Sequence, residues 1–197
     1  MGKLIVLMGK SATGKDTIFK LLQTDDSLGL RQLVPYTTRP QRVGEVNGEA
    51  YHFVTEEDFS VLLEQGLVIE HRAYNTVHGL WRYFTVEDAQ LDLEHYNYLL
   101  IGTLEAYVSI VKHFGREKVI PVLVTLDDGM RLERALVRER QQENPRYEEM
   151  CRRFLADSAD YSQEKIDAAG ITKVFENHAS VDCKEEISAY IKEQLAL

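Results

Sequence analysis

Leu4-Ile5-Val6-Leu7-Met8-Gly9-Lys10-Ser11-Ala12-Thr13-Gly14-Lys15-Asp16 is the stretch on which the fold turns. Its first five residues are a continuous apolar run, the pattern of a strand buried on both faces of a parallel sheet. Gly9 and Gly14 are spaced as in a phosphate-binding loop, where backbone N–H groups cradle phosphates and the lysine that follows reaches their outer oxygens. Beyond Lys15, the apolar residues Ile18, Leu21 and Leu22 recur at helical spacing. Strand, glycine-bounded loop and helix therefore arrive in the order that this loop requires.

Working outward, further strands are expected at Tyr98–Ile101, Val119–Leu126 and Thr172–Phe175, separated by segments with helical patterning. Strands alternating with helices imply an α/β fold: three layers around a mostly parallel sheet, with right-handed crossovers. From about Pro35 to Thr85 the chain turns to short polar and aromatic pieces, the mark of an inserted subdomain. From 127 to 156 it carries seven arginines, interrupted by Asn144-Pro145, which breaks any continuous helix. A helix, a flexible turn and a second helix are expected there, and an amphipathic helix over Lys184–Leu195 closes the chain. One domain follows, with residues 1–34, 86–126 and 157–197 as core, 35–85 as an acceptor-binding subdomain and 127–156 as a helical lid.

At 197 residues, a chain of this kind buries about 70% of its unfolded surface on folding. A hydrophobic content of 44% beside 28% charged residues argues against disorder and against a fibrous repeat. The net charge of −9 opposes a nucleic-acid or anionic-membrane surface while leaving room for a local basic pocket. Cys151 and Cys183 have neither zinc-site spacing nor the density of a secreted scaffold, so both are expected to be reduced and structural. The five-residue apolar run is far shorter than a signal-peptide core or the roughly 20 residues of a membrane helix. A cytoplasmic protein, monomer or homodimer, acting on small molecules is expected.

The segment Thr37-Thr38-Arg39-Pro40-Gln41-Arg42-Val43-Gly44-Glu45, continuing through Tyr51, pairs two planar guanidinium forks with a phenol, a set suited to clamping a phosphate monoester. With the phosphate loop upstream, this segment resembles the acceptor-binding signature of guanylate kinases, which transfer the γ-phosphoryl of ATP to GMP. The resemblance implies ATP binding by Gly9, Lys10, Ser11, Ala12, Thr13, Gly14, Lys15, Asp16 and Thr17. It implies acceptor binding by Arg39, Arg42, Tyr51, Glu70, Arg82 and Thr103, with Glu70 as the carboxylate that reads the donor edge of guanine. The family's His-Gly-Asn-Tyr-Tyr-Gly stretch aligns with His78-Gly79-Leu80-Trp81-Arg82-Tyr83, which puts Arg82 near the phosphate-binding tyrosine position.

The chain departs from that family at several positions. Pro35 stands where a serine usually touches the guanine oxygen, and it offers neither a hydroxyl nor an N–H. The strand ending in the family's Asp-x-Asp becomes Leu100-Ile101-Gly102-Thr103-Leu104, with neither acidic position acidic and Glu105 the nearest carboxylate. Asp16 replaces the serine or threonine that normally ligates Mg²⁺. Thr17 does not substitute for that hydroxyl, because one helical step rotates a side chain by about 100°, and it is expected to face the body of the protein. A carboxylate is itself a hard oxygen ligand, so Asp16 is the expected Mg²⁺ ligand.

Phosphoryl transfer through a loose transition state asks for alignment and positive charge more than for a general base. Lys15, Arg39, Arg134, Arg138, Arg140 and Arg153 are the expected catalytic set, with the lid arginines closing over the γ-phosphate. The Gly-Lys-Asp of the loop and the Gly-Thr after the later strand also resemble ribose 1,5-bisphosphate kinases, which phosphorylate a sugar phosphate. Inactive interaction modules share the fold too, but an intact Lys15 and both loop glycines favour an enzyme. Trp81 is expected to pack in the core, with stacking on the acceptor as its other role.

Overall fold

The computed structural model describes residues 1–76 and 79–196. Five strands make a wholly parallel sheet: β1 (Leu4–Met8), β2 (Leu30–Gln32), β7 (Asn97–Ile101), β8 (Val119–Thr125) and β9 (Val174–Glu176), in the order β2-β7-β1-β8-β9. The α/β reading and its parallel sheet are what the structure has. Every residue of β1 is fully buried. Leu4, Val6 and Met8 face helix α3 (Leu104–Phe114), where Tyr107 and Ile110 meet them. Ile5 and Leu7 face helices α1 (Lys15–Gln23) and α7 (Ser180–Leu195), through Ile18, Leu22, Ile187 and Ile191. This two-sided cover explains why the run lacks polar alternation.

The second sheet has the order β4-β3-β6-β5: β3 (Tyr36–Thr37), β4 (His52–Phe53), β5 (Val68–Thr76) and β6 (Gly79–Val86). It packs on α2 (Glu56–Glu64) through a small core of Phe59, Phe84 and Val86. Thr55 opens α2 with a capping box: its hydroxyl accepts from the Asp58 N–H, and the Asp58 carboxylate accepts from the Thr55 N–H.

Helices α4 (Asp128–Arg140) and α5 (Tyr147–Asp160) are separated by the segment holding Asn144-Pro145, and α6 (Gln163–Ala168) leads back to β9. The sequence reading missed α2, α6, β2 and the four strands of the second sheet. The short α6 and β2 carry too few residues to show a period, and Arg31 at the centre of β2 is exposed, over the Tyr96 ring. Helix α7 starts at Ser180, a turn before the expected Lys184, because Cys183 is part of the core. Cys183 is buried, Cys151 is exposed, and both are free thiols. Among the described residues, no helix is long and apolar enough to cross a membrane.

Candidate active site

The phosphate loop runs from the end of β1 to the start of α1. A Cβ on Gly9 would lie 2.4 Å from the Val124 carbonyl oxygen, so β8 leaves room there only for hydrogen. Gly14 has φ 84°, and a Cβ on it would lie 2.4 Å from Nδ2 of the buried Asn177. That amide donates to the Thr13 carbonyl at 2.7 Å, tying the loop to the end of β9. Thr13 is buried, and its hydroxyl donates to the Lys10 carbonyl at 2.9 Å. Ala12, at φ 63°, is the only non-glycine residue with positive φ among those described.

Gly14 caps α1 without any side-chain hydrogen bond, so the first N–H groups of the helix are not taken by a side chain. Lys15 lines the open cleft in front of the loop. Asp16 is exposed, with its carboxylate 3.7 Å from Lys15 Nζ. Thr17 corrects an expectation: it is exposed rather than turned toward the body. Helix α1 buries Ile18, Phe19 and Leu22, and the step back from Ile18 carries Thr17 onto the solvent side.

Arg131 on α4 is completely buried at the back of the loop. Its Nε donates to the Ser11 carbonyl at 3.0 Å, Nη2 to Asp157 at 3.1 Å and Nη1 to Asp128, with the guanidinium over the Phe154 ring. Asp157, on α5, also accepts the Ser11 N–H at 2.7 Å. A carboxylate of the helical region thus holds one backbone donor of the phosphate loop. Tyr161 accepts the Gly9 N–H at 3.3 Å, and burial pushes its phenol up to about 12, so it stays protonated.

The second sheet and its connections face this loop across a cleft of about 1510 Å³. Arg39 is 3% exposed and forms a two-point pair with Glu45, at 2.8 and 3.0 Å. The guanidinium lies behind Tyr51 and Phe53 and interacts with Tyr83. Its hydrogen bond holds the Glu45 carboxyl below the ordinary value. Arg42 lies at the cleft itself, and its guanidinium makes no hydrogen bond or ion pair among the described residues. Tyr51 packs edge-on against Tyr83 at 5.5 Å, and burial raises its pKa.

Arg82 requires a second correction. Alternation along β6 sends Phe84 and Val86 into the small core and Arg82 to that same side, where it pairs with Glu56 at 2.9 Å and covers Phe59. The residue that β6 presents to the cleft beside Tyr51 is Tyr83, with Trp81 two residues before it. Trp81 lines the cleft and does not join the core clusters. His78, used in the sequence alignment, lies outside the described residues.

Glu70 is buried on β5. Its Oε1 accepts from the Thr85 hydroxyl at 2.7 Å, and both oxygens accept from Arg72, at 3.1 and 3.4 Å. Arg72 in turn donates to the Thr103 hydroxyl at 3.1 Å. Thr103 lines the cleft and caps α3, accepting from the Ala106 N–H. Leu104 is in the core, and Glu105 reaches the cleft.

Of the expected lid arginines, Arg153 lines the cleft, together with Arg146 and Arg152. Arg152 and Arg153 both bond Glu149, and Arg152 foremost holds that carboxyl at about 2. Arg134 donates to the Asn177 carbonyl behind the loop. Arg138 and Arg140, in the last turn of α4, are exposed and do not line the cleft. Among the described residues, no group of three His, Cys, Asp or Glu side chains could hold a metal ion. Asp16 alone still suits Mg²⁺, which binds through one or two carboxylates, substrate phosphates and water.

Sequence reasoning left Arg72, Tyr83, Arg131 and Asp157 without roles. Tyr83 was legible in principle, since Phe84 and Val86 read as an inward apolar pair that puts position 83 on the opposite face. Arg131 and Asp157 meet across two helices, and no local pattern signals that contact.

Residues 1–81 match the family model for guanylate kinase. The guanylate kinase of Mycoplasma mobile is 31% identical over 126 residues, covering 64% of this chain and 61% of that protein. The guanylate kinase of a Nostoc species is 49% identical over 70 residues, covering 35% of this chain and 34% of that protein. These matches therefore span less than two thirds of the relatives' own length. The crystal structure of guanylate kinase from Anaplasma phagocytophilum shares the fold, with a TM-score of 0.64 at 23% identity over 98% of this chain and 86% of that one.

Proposed function

We propose, from the match of residues 1–81 to the guanylate kinase family model, that this chain transfers the γ-phosphoryl group of ATP to GMP, giving ADP and GDP. The observation that carries this reading is that Lys15, at the mouth of the phosphate loop, Arg42, from the β3–β4 connection, and Tyr83, on β6, line one cleft. A donor phosphate on the loop and an acceptor phosphate on the second sheet then face each other, and transfer needs mainly that alignment.

In this mechanism the loop N–H groups and Lys15 hold the donor phosphates, and Asp16 would hold Mg²⁺, which would supply charge neutralisation for those phosphates. Arg42, Tyr51 and Tyr83 grip the acceptor phosphate, and Arg39, held rigid by Glu45, places that group. Arg153, with Arg146 and Arg152, supplies positive charge from the helical region, whose closure excludes water that would otherwise hydrolyse ATP. Arg134 braces the loop from behind. The enzyme acts in the cytoplasm on small nucleotides, as a monomer or homodimer.

The test is to mix purified protein with Mg²⁺-ATP and GMP, dGMP, AMP, UMP, CMP or ribose 1,5-bisphosphate, follow ADP formation and identify the product. Selective GDP formation is expected. Turnover of the sugar phosphate alone, or of none of these acceptors, defeats the reading.

A further inference from the structure

We infer that Arg72, which no motif pointed to, determines acceptor specificity by donating to the 6-oxo edge of the purine, with Glu70 beside it taking the neighbouring N–H. The inference rests on the reading of GMP as acceptor and adds the residue that selects its base.

A guanidinium has five N–H bonds. Arg72 spends Nε–H and one Nη2–H on Glu70 and one Nη1–H on Thr103. One N–H on each terminal nitrogen has no partner among the described residues. An ionised carboxylate offers about four acceptor positions. Glu70 uses three of them, on Thr85 and twice on Arg72, which leaves one on Oε2. The Thr103 oxygen accepts from Arg72 and from the Ala106 N–H, so its own hydrogen remains to be donated at the cleft.

The pair is nearly enclosed and adjoins the cleft through Thr103, which Arg72 bonds. Glu70 and Arg72 have side chains only 3% and 12% exposed, and Arg72 stands opposite cleft-lining Tyr83 in the β5–β6 register. It therefore presents one acceptor beside a fork of donors. A 6-oxopurine carries N1–H next to the O6 acceptor, the complementary order. A 6-aminopurine carries N1 as acceptor next to an N–H₂ donor, so both of its groups meet their like. Pro35, at the position where the resembled family usually has a serine, brings no hydroxyl or N–H, and Arg72 supplies a donor in its stead.

The experiment compares GMP, IMP and the 5′-monophosphate of 2,6-diaminopurine riboside as acceptors for wild type, Arg72→Met and Arg72→Lys. Binding is read independently of turnover from the fluorescence of Trp81, the only tryptophan, which lines the cleft. IMP keeps O6 and N1–H, whereas the diaminopurine nucleotide keeps the 2-amino group and loses the oxo edge. Wild type is expected to bind GMP and IMP well and to reject the diaminopurine nucleotide. Loss of a charged hydrogen bond should raise the GMP dissociation constant and KM of Arg72→Met about 10- to 100-fold with kcat nearly unchanged. Affinity for the diaminopurine nucleotide should not fall, so the ratio between the two collapses. Arg72→Lys keeps a cation beside Glu70 and carries the test if the methionine variant does not fold; it should lose part of the same ratio, because it lacks the planar fork. Equal losses on GMP and the diaminopurine nucleotide, or an unchanged ratio in the folded variant, overturn the inference. GMP bound with this selectivity but not phosphorylated would defeat the proposed reaction alone, whereas failure to bind GMP would defeat both.

Discussion

The two walls of the cleft are built by different physics. The phosphate loop is specified by backbone geometry: two glycines where a Cβ would collide with Val124 or Asn177, and a helix start with no side-chain cap. The second sheet is specified by which face each side chain takes, a matter of strand register. One step along β6 separates Tyr83, in the cleft, from Arg82, against α2. Backbone requirements leave a signature at fixed spacing, whereas facing depends on partners far away in the chain.

Removing the loop's charge should have the largest effect. Lys15→Met is expected to lower kcat/KM for the phosphoryl transfer by about 10²- to 10³-fold, the usual cost of one electrostatic contact to a developing charge, with little change in urea unfolding. A variant retaining near wild-type activity would show that the loop does not hold the donor.

Arg131→Met should instead act on stability. It strips the buried partner from Asp157 and Asp128 and releases the Ser11 carbonyl. A loss of about 3 kcal/mol in urea unfolding is expected, at the lower end for breaking a buried pair because Asp128 is partly exposed. A loss below 1 kcal/mol would mean that solvent replaces these contacts.

Neighbours 82 and 83 sharpen the comparison within one strand. Tyr83→Phe should raise KM for the acceptor about fivefold to tenfold, as expected for one hydrogen bond of roughly 1 kcal/mol, without a stability change. Arg82→Ala should do the reverse, leaving kinetics within about twofold and costing about 1 kcal/mol through its ion pair with Glu56 and its cover of Phe59. Swapped outcomes would place Arg82 in the cleft.

The smallest effect is expected from pH. Glu45 has a folded pKa below its ordinary value of 4.5, held there by Arg39. A depressed carboxyl contributes stability in full above that ordinary value and loses it as pH falls through the folded one. Glu45→Gln should therefore flatten the loss of unfolding midpoint below about pH 4.5, and an unchanged acid limb would deny the pair a role in the folded state.

Much of this protein was legible in its chain because local rules suffice for it. The Leu4–Met8 run, the glycine spacing and the helical pattern after Lys15 determine a buried strand, a glycine-bounded loop and a helix, since each depends on neighbours only a few residues away. The broken pair of helices at Asn144-Pro145 follows from proline chemistry in the same way. The tertiary structure alone decided which arginines face the cleft. It sent Arg82 behind the sheet, buried Arg131 under the loop and left Arg138 and Arg140 outside the cleft. It alone brought Thr103, at the cap of α3, to the Glu70–Arg72 pair on β5. A charge alternates in or out with strand register and helix rotation, and its partner is set by packing between segments distant in sequence; no spacing along the chain records either.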